Sequence, residues 1–422
     1  MRKGIWLMLA VALGLRLIAI NQSLWLDEAI SINVVKNFGW GEIVSNFSVH
    51  DFHPFLYYFF LKAWGSLFGF GVIIMRLPSV IFGVMTVYIA AKMKREAGWL
   101  LAVNPLLIYY SQEVRMYSLT VMCLTATFYY FEKIIKKNKR KNIIFYNLFS
   151  LLAIGSFYGS IFFLGAMAIY WLLKKKYKLV WQTNIGLMIG LLGLSPLLQA
   201  QLAGAKEMLA ANSGWGGALG KVNIKNMLLI PVKFSIGRVS FFPKKLYWLL
   251  AGGWTAVVAL NFDWRKNKRW LTVGLISLGL GMLMSFKMPM LQYFRFLYLA
   301  PIMLLCLKKK KYLVWGFLGW SLVYLLIPQF HRENWQGLTE TLGKEVWMLA
   351  DKSDPVIFYR PEVRVRDLAR EEPTEKIIEV IPYSAEIVGL DYETKLKSEG
   401  YEKTKAMDFR QLEWQEWQRK DR

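Results

Sequence analysis

The stretch VIIMRLPSVIFGVMTVYIAA, Val72 to Ala91, runs directly into Lys92-Met93-Lys94-Arg95. About 20 apolar residues suffice to cross the hydrocarbon of a bilayer, and Lys and Arg gather on the cytoplasmic side of such crossings. Residues 72–91 are therefore read as one crossing that ends in the cytoplasm. An earlier apolar run, Gly4 to Ile20, follows Met1-Arg2-Lys3 and is read as an uncleaved first helix with its start inside, because Asn21-Gln22-Ser23-Leu24-Trp25 lacks a small-residue cleavage pattern. With both points fixed, residues 21–70 become one long external loop. Glu28 to Phe38 and Pro54 to Phe68 within it are expected as helices lying at the membrane surface.

The same parity argument extends along the chain. Basic blocks at Lys133 to Lys141, Lys174 to Lys178, Arg265 to Arg269 and Lys308 to Lys311 serve as cytoplasmic points. Between them fall crossings at Trp99 to Tyr110, Met116 to Phe131, two short helices within Ile143 to Leu173 meeting near Tyr158-Gly159, Val180 to Leu202, and about 246–262, 270–286, 294–307 and 312–328. A second external region, Ala203 to Lys245, contains Gly214-Trp215-Gly216-Gly217. About eleven crossings result, with the N-terminus inside and the C-terminus outside, in a multi-pass protein of the plasma (inner) membrane.

Composition agrees with this reading. Apolar residues make up 55% of the 422 positions and the mean hydropathy is +0.31, too much for a soluble fold to hide while keeping a wettable surface. The formal charge of +24 is explained by blocks facing anionic lipid, so no nucleic-acid partner is expected. Cys123 and Cys306 both lie in apolar spans and form neither a disulfide pattern nor a metal pattern.

After Pro328 the composition turns polar. Residues 331–422 are expected to form a small extracytoplasmic α/β domain beyond an all-α membrane domain of residues 1–330. Trp335, Leu338, Leu342, Val346 and Leu349 recur at helical spacing, and Pro355 to Tyr359 and Lys376 to Tyr383 look strand-like.

Several charged residues invite two readings each. Asp27-Glu28 opens a helix, where an acid caps free amides or does chemistry. His50-Asp51-Phe52-His53-Pro54 holds two of the three histidines and is ordinary loop polarity, a metal site or a phosphate and acid/base site; two His three apart with one Asp match no zinc spacing. Glu113 and Arg115 sit in an external turn. Arg295 and Arg76 lie near the outer headgroups, where a guanidinium snorkels or forks onto a phosphate. Taken together, a carboxylate pair, a histidine and several cations on one external surface suit a phosphate-linked lipid arriving from the bilayer.

The ordered motifs Trp25-Leu26-Asp27-Glu28, His53-Pro54-Phe55-Leu56-Tyr57-Tyr58, Arg76-Leu77-Pro78-Ser79, Tyr110-Ser111-Gln112-Glu113-Val114-Arg115-Met116-Tyr117 and Arg295-Phe296-Leu297-Tyr298 resemble GT-C fold glycosyltransferases of the family 39 type. These are relatives of the protein O-mannosyltransferases and the lipid A aminoarabinose transferases, and the resemblance points to a bacterial or archaeal member. It implies an inverting transfer of a sugar from a polyprenyl-phosphate donor to an extracytoplasmic protein, lipid or glycan. Carried over by position, Asp27 is the catalytic base and Glu28 orients acceptor or base. His53, Arg115 and Arg295 contact the donor phosphate, while Asp51, Glu113 and Tyr117 are candidate substrate contacts. Phe55 departs from the frequent His-Pro-Pro pattern. No nucleotide-sugar or metal motif is evident, and a divalent metal, used by some GT-C branches, is not indicated. The rival reading is a transporter or flippase of a lipid-linked saccharide.

Overall fold

A computed structural model describes residues 2–211 and 219–420, so Gly214-Trp215-Gly216-Gly217 lies outside the described residues. The part before Pro328 is almost entirely helical. Two of its helices, Val72–Met93 and Tyr177–Ala211, are long and apolar enough to cross a bilayer by length and composition alone. The others are shorter, broken or more polar, yet they turn large apolar side chains outward. Leu249 is 70% exposed, Leu283 67% and Trp315 69%. A surface that apolar is at rest in lipid rather than in water.

Helices occupy most of the stretches expected as crossings, with small shifts at their ends. Ile143 to Leu173 is split into the helices Arg140–Ser156 and Ser160–Leu173, meeting at Phe157 to Gly159. Residues 21–70, expected as an external loop, carry helices Leu26–Asn37 and Leu56–Phe68. Trp99 to Tyr110, expected as one crossing, is instead two helices, Arg95–Ala102 and Pro105–Ser111. Pro105 disfavours helical backbone at Asn104, and the Asn104 side chain then accepts the Leu107 N–H to cap the second helix. The break frees carbonyls in an apolar interior, where each must find a donor. Arg16, fully buried on the first helix Arg2–Leu17, supplies them: it donates to Leu101 O (3.3 Å), Ala102 O (3.1 Å) and Ser111 Oγ (3.0 Å). The last expected crossing before the Lys308 block is likewise two pieces, a 3-10 segment Tyr293–Leu299 and the short helix Ala300–Leu305.

Beyond Pro328 a mixed five-stranded sheet forms from β1 (Glu345–Met348), β2 (Arg364–Asp367), β3 (Ile377–Val380), β4 (Tyr401–Phe409) and β5 (Leu412–Arg419), in the order β2-β1-β3-β5-β4. β1 runs parallel to β2 and β3, and β5 runs antiparallel to β3 and β4. Side chains alternate across the sheet: Val346 and Met348 join Trp335, Val356 and Trp414 in one cluster, whereas Trp347 joins Val380, Leu396 and Trp417 in another.

Two local expectations are corrected here. The helical spacing from Trp335 to Leu349 yields only the helix Trp335–Thr339, and its second half is β1. Pro355 to Tyr359 is the helix Asp354–Tyr359 rather than a strand, because proline in the first turn is pre-set for helix.

Replacing Arg16 by Met is expected to destabilise the protein by about 2–4 kcal/mol, since each buried carbonyl left without a donor costs ~1–3 kcal/mol. Heat unfolding in detergent measures this, and an unchanged midpoint would contradict the splinting role.

Candidate active site

The site is built around a pair of buried ions. The Leu26–Asn37 helix begins with Asp27 and Glu28 in its first turn. Glu28 is fully buried and receives a two-pronged contact from Arg76, Nε to Oε1 at 2.9 Å and Nη2 to Oε2 at 2.6 Å. The remaining Arg76 N–H groups donate to the carbonyls of Ile20 (2.8 Å), Gln22 (2.6 Å) and Ser23 (3.1 Å). Arg76 therefore neither snorkels nor faces a lipid phosphate. It stitches the end of the first helix to the external loop.

Glu28 has two further partners. Its Oε1 accepts the Val114 N–H at 2.9 Å, and Arg332 Nε lies 3.4 Å from Oε2. Burial is the largest influence on its pKa and acts upward, but the Arg76 and Arg332 guanidiniums and the two hydrogen bonds outweigh it and hold the carboxyl below its ordinary value. Removing one member of a buried pair costs ~3–5 kcal/mol because the other charge stays behind. The expectation that Glu28 orients an acceptor meets this geometry directly: no face of the side chain is accessible, so its action on chemistry runs through the backbone it fixes.

That backbone matters because Glu28 adjoins Asp27 and Val114 adjoins Arg115. The Glu28–Val114 hydrogen bond thereby brings the next pair together, with Arg115 Nη2 at 3.7 Å from Asp27 Oδ2. The helix N-cap position is Trp25, and Asp27 makes no cap hydrogen bond. The Asp27 side chain is 36% exposed, against 15% for Asp51, 1% for Glu113 and 0% for Glu28. It is the one acid of the cluster that an incoming molecule can reach.

Asp51, His53, Tyr58 and Arg115 form a second connected group. His53 Nδ1 lies 3.0 Å from Asp51 Oδ1, and the Tyr58 hydroxyl donates to Asp51 Oδ2 at 2.7 Å. Arg115 Nη1 donates to the Tyr58 hydroxyl at 3.2 Å, and its Nη2 is 3.5 Å from His53 Nδ1. Burial again acts upward on Asp51, yet His53, Arg115 and the Tyr58 hydroxyl together bring it down to about 2. Asp51 is thus an ionised holder of His53 and Tyr58, one on each oxygen. Gln201, on the Tyr177–Ala211 helix, ties the loop down by donating to the carbonyls of Ser48, Asp51 and His53.

Tyr117 stands between this group and Arg295. Its ring packs edge-on to Phe294, and its hydroxyl lies in the field of Arg115, Glu113, Arg295 and Asp27. Arg295 donates through Nη1 to the carbonyls of Leu219 (3.1 Å) and Pro289 (3.2 Å) and has no acidic partner among the described residues. Glu113 is buried with neither oxygen hydrogen-bonded, and Arg332 Nη2 is 3.7 Å away. Burial pushes its carboxyl up to about 7 against the pull of Arg332, with Glu28 adding to the rise. Arg332 and Arg238, whose guanidiniums lie 4.2 and 5.0 Å from the Tyr109 ring centre, had no signal in the sequence beyond their charge. Among the described residues, no group of three or more His, Cys, Asp and Glu side chains is placed to hold a metal.

Residues 52–199 match the family model described as dolichyl-phosphate-mannose-protein mannosyltransferase. The matched segment is about a third of the chain. The match takes in His53, Glu113, Arg115 and Tyr117, begins after Asp27, Glu28 and Asp51, and stops before Arg295. It meets the resemblance to membrane glycosyltransferases drawn from the ordered motifs. No match was found among curated proteins. Among solved structures, the chain is similar to the crystal structures of ArnT from Cupriavidus metallidurans bound to undecaprenyl phosphate (12% identity, 98% of both chains covered, TM-score 0.49) and in the apo state (12% identity, 98% of both, TM-score 0.47). At that identity and similarity the likeness assigns no chemistry to the matched segment or to the rest of the chain.

The Glu113 carboxyl gives a pH test. Its folded-state pKa of about 7 exceeds the ordinary value of 4.5, so the folded chain holds the proton more tightly than the unfolded one. The resulting stabilisation is complete below the ordinary value and disappears as pH rises through about 7. Between about pH 5 and about pH 8 the wild type is expected to lose stability relative to Glu113→Gln, by up to ~3 kcal/mol at ~1.4 kcal/mol per pKa unit. Parallel denaturation curves for the two proteins would contradict it.

Proposed function

We propose that this protein is an integral membrane glycosyltransferase that moves a sugar, with inversion, from a polyprenyl-phosphate donor to an extracytoplasmic protein, lipid or glycan. The observation that carries the reading is the Asp27–Arg115 pair: a reachable carboxylate 3.7 Å from a buried guanidinium, beside a matched segment that supplies His53, Arg76 and Arg115.

Each residue then has a role that its surroundings support. Arg115, with His53 beside it and Arg295 across Tyr117, meets the donor phosphate and stabilises the charge that grows on it as the glycosidic bond breaks. The Arg115–Asp27 contact is loose, and a phosphate is the stronger partner for a guanidinium. Donor binding draws Arg115 toward the phosphate and leaves Asp27 free. Asp27 accepts the proton of the acceptor hydroxyl as that oxygen attacks the anomeric carbon, and the phosphate departs from the opposite face. A phosphate leaving group needs no strong acid, so one base suffices. Glu28 and Asp51 serve by holding Asp27, Arg115 and His53 in register, and Tyr117 lines the donor side.

In this reading the N-terminus faces the cytoplasm, and the external loop, the 111–115 turn and the C-terminal sheet region share the outer face, with about eleven crossings between. A reporter fused after Lys137 is expected to be cytoplasmic and one at the C-terminus external; the opposite pattern would refute the map.

Asp27→Asn is expected to lower transfer by at least ~100-fold, the low end of what a positioned base contributes, while polyprenyl-phosphate binding and thermal stability stay close to wild type. Undiminished turnover in the purified variant would remove the base assignment.

A further inference from the structure

A cavity of about 250 Å³ lies at the seam between the helical part and the C-terminal sheet region, walled by Trp25, Tyr109, Arg238, Arg332, Glu333 and Gln411 together with neighbouring residues. Seams of this kind are where small-molecule sites concentrate. Trp25 is two residues from Asp27, and the charge of Asp27 is felt by Glu333 and by Tyr383 behind it. The cavity therefore opens beside the reachable acid.

Its walls are unequal in charge. Arg332 is buried and already shared between Glu28 and Glu113. Each Glu333 oxygen is engaged, accepting from Trp335 Nε1 at 2.7 Å and from the Tyr383 hydroxyl at 2.8 Å. Arg238 is exposed and, among the described residues, has neither an ion pair nor a hydrogen bond, only the Tyr109 ring against which its guanidinium rests. It is held there by Gly237, which ends the Ile224–Ile236 helix with φ 71° and approaches Pro105 so closely that a Cβ would stand 2.9 Å from the Pro105 ring. A guanidinium fixed on an aromatic face keeps its N–H edge free for a planar or tetrahedral oxyanion.

We propose that this cavity receives the acceptor, and that Arg238 selects acceptors carrying an oxyanion, a phosphate or a carboxylate, near the hydroxyl that is glycosylated. The proposal rests on the transferase reading for the word acceptor, but its recognition chemistry is testable without turnover. The volume suits a headgroup of about one monosaccharide, with the remainder of the acceptor outside.

The test is a ligand-observed NMR titration of the full-length protein in detergent, with inorganic phosphate in one arm and acetate in the other. Saturable binding is expected in at least one arm. Arg238→Gln is expected to weaken it about tenfold or more, the scale of one charge-assisted contact, Arg238→Lys to recover part of the loss, and Arg295→Ala to cost clearly less than Arg238→Gln. An unaltered thermal midpoint in each variant excludes misfolding. No saturable binding in either arm, equal affinity in Arg238→Gln, or equal loss in Arg295→Ala would overturn the proposal, the last by placing the anion with the donor. Polyprenyl-phosphate binding, measured on the same samples, separates the two claims: its absence alongside Arg238-dependent anion binding would sink the transferase reading and leave the anion site standing.

Discussion

The Glu28–Arg76 ion pair is the constraint on which the candidate site depends. Two opposite charges are out of reach of water, and the five guanidinium N–H groups are used on one carboxylate and three carbonyls. Such a pair is weak evidence for net stability but strong evidence for one geometry, since any other placement strands a charge. It fixes where the first helix ends, how the following loop turns back, and where the Leu26–Asn37 helix starts. With the Val114 amide on the same carboxylate, it also fixes the turn that carries Arg115.

Against that rigid background, exposure separates the acids by task. Glu28 and Asp51 are surrounded by donors and stay ionised, so they act as fixed negative points that hold cations and hydroxyls in place. Glu113 lacks donors and is held near neutral charge balance. Asp27 alone combines access with a cation at contact distance. The same four-carboxyl inventory, spread over a solvated surface, would have none of this differentiation, because water would equalise the environments.

How far the sequence could be read varied with the range of the forces involved. Apolar run length and basic blocks are local, and they placed most helices to within a few residues. The break at Asn104-Pro105 was visible as residues but was absorbed into an apolar run. The C-terminal differences came from tertiary context: β1 lies between β2 and β3 with a buried cluster on each face, so Val346-Trp347-Met348 is a continuous apolar run that happened to continue a helical count from Trp335. Around the site, Asp27, Arg115 and His53 were legible as types and do come together, whereas the fate of Arg76 depended on an acid 48 positions earlier. Neither Arg332 nor Arg238 could have been found, because their significance lies in Tyr109 and the two buried glutamates, not in their neighbours along the chain.

Arg332 also bears on the order of assembly. It follows the last apolar helix, Lys311–Leu326, and yet enters the centre formed by Glu28 and Glu113, while Gln336 and Tyr359 clasp Ser23 and Leu24. On a growing chain the glutamates emerge long before this counter-charge does. Until residue 332 has been added, Glu28 has Arg76 as its ion-pair partner and Glu113 has none among the described residues, so truncation before that point leaves one buried carboxyl without its cation.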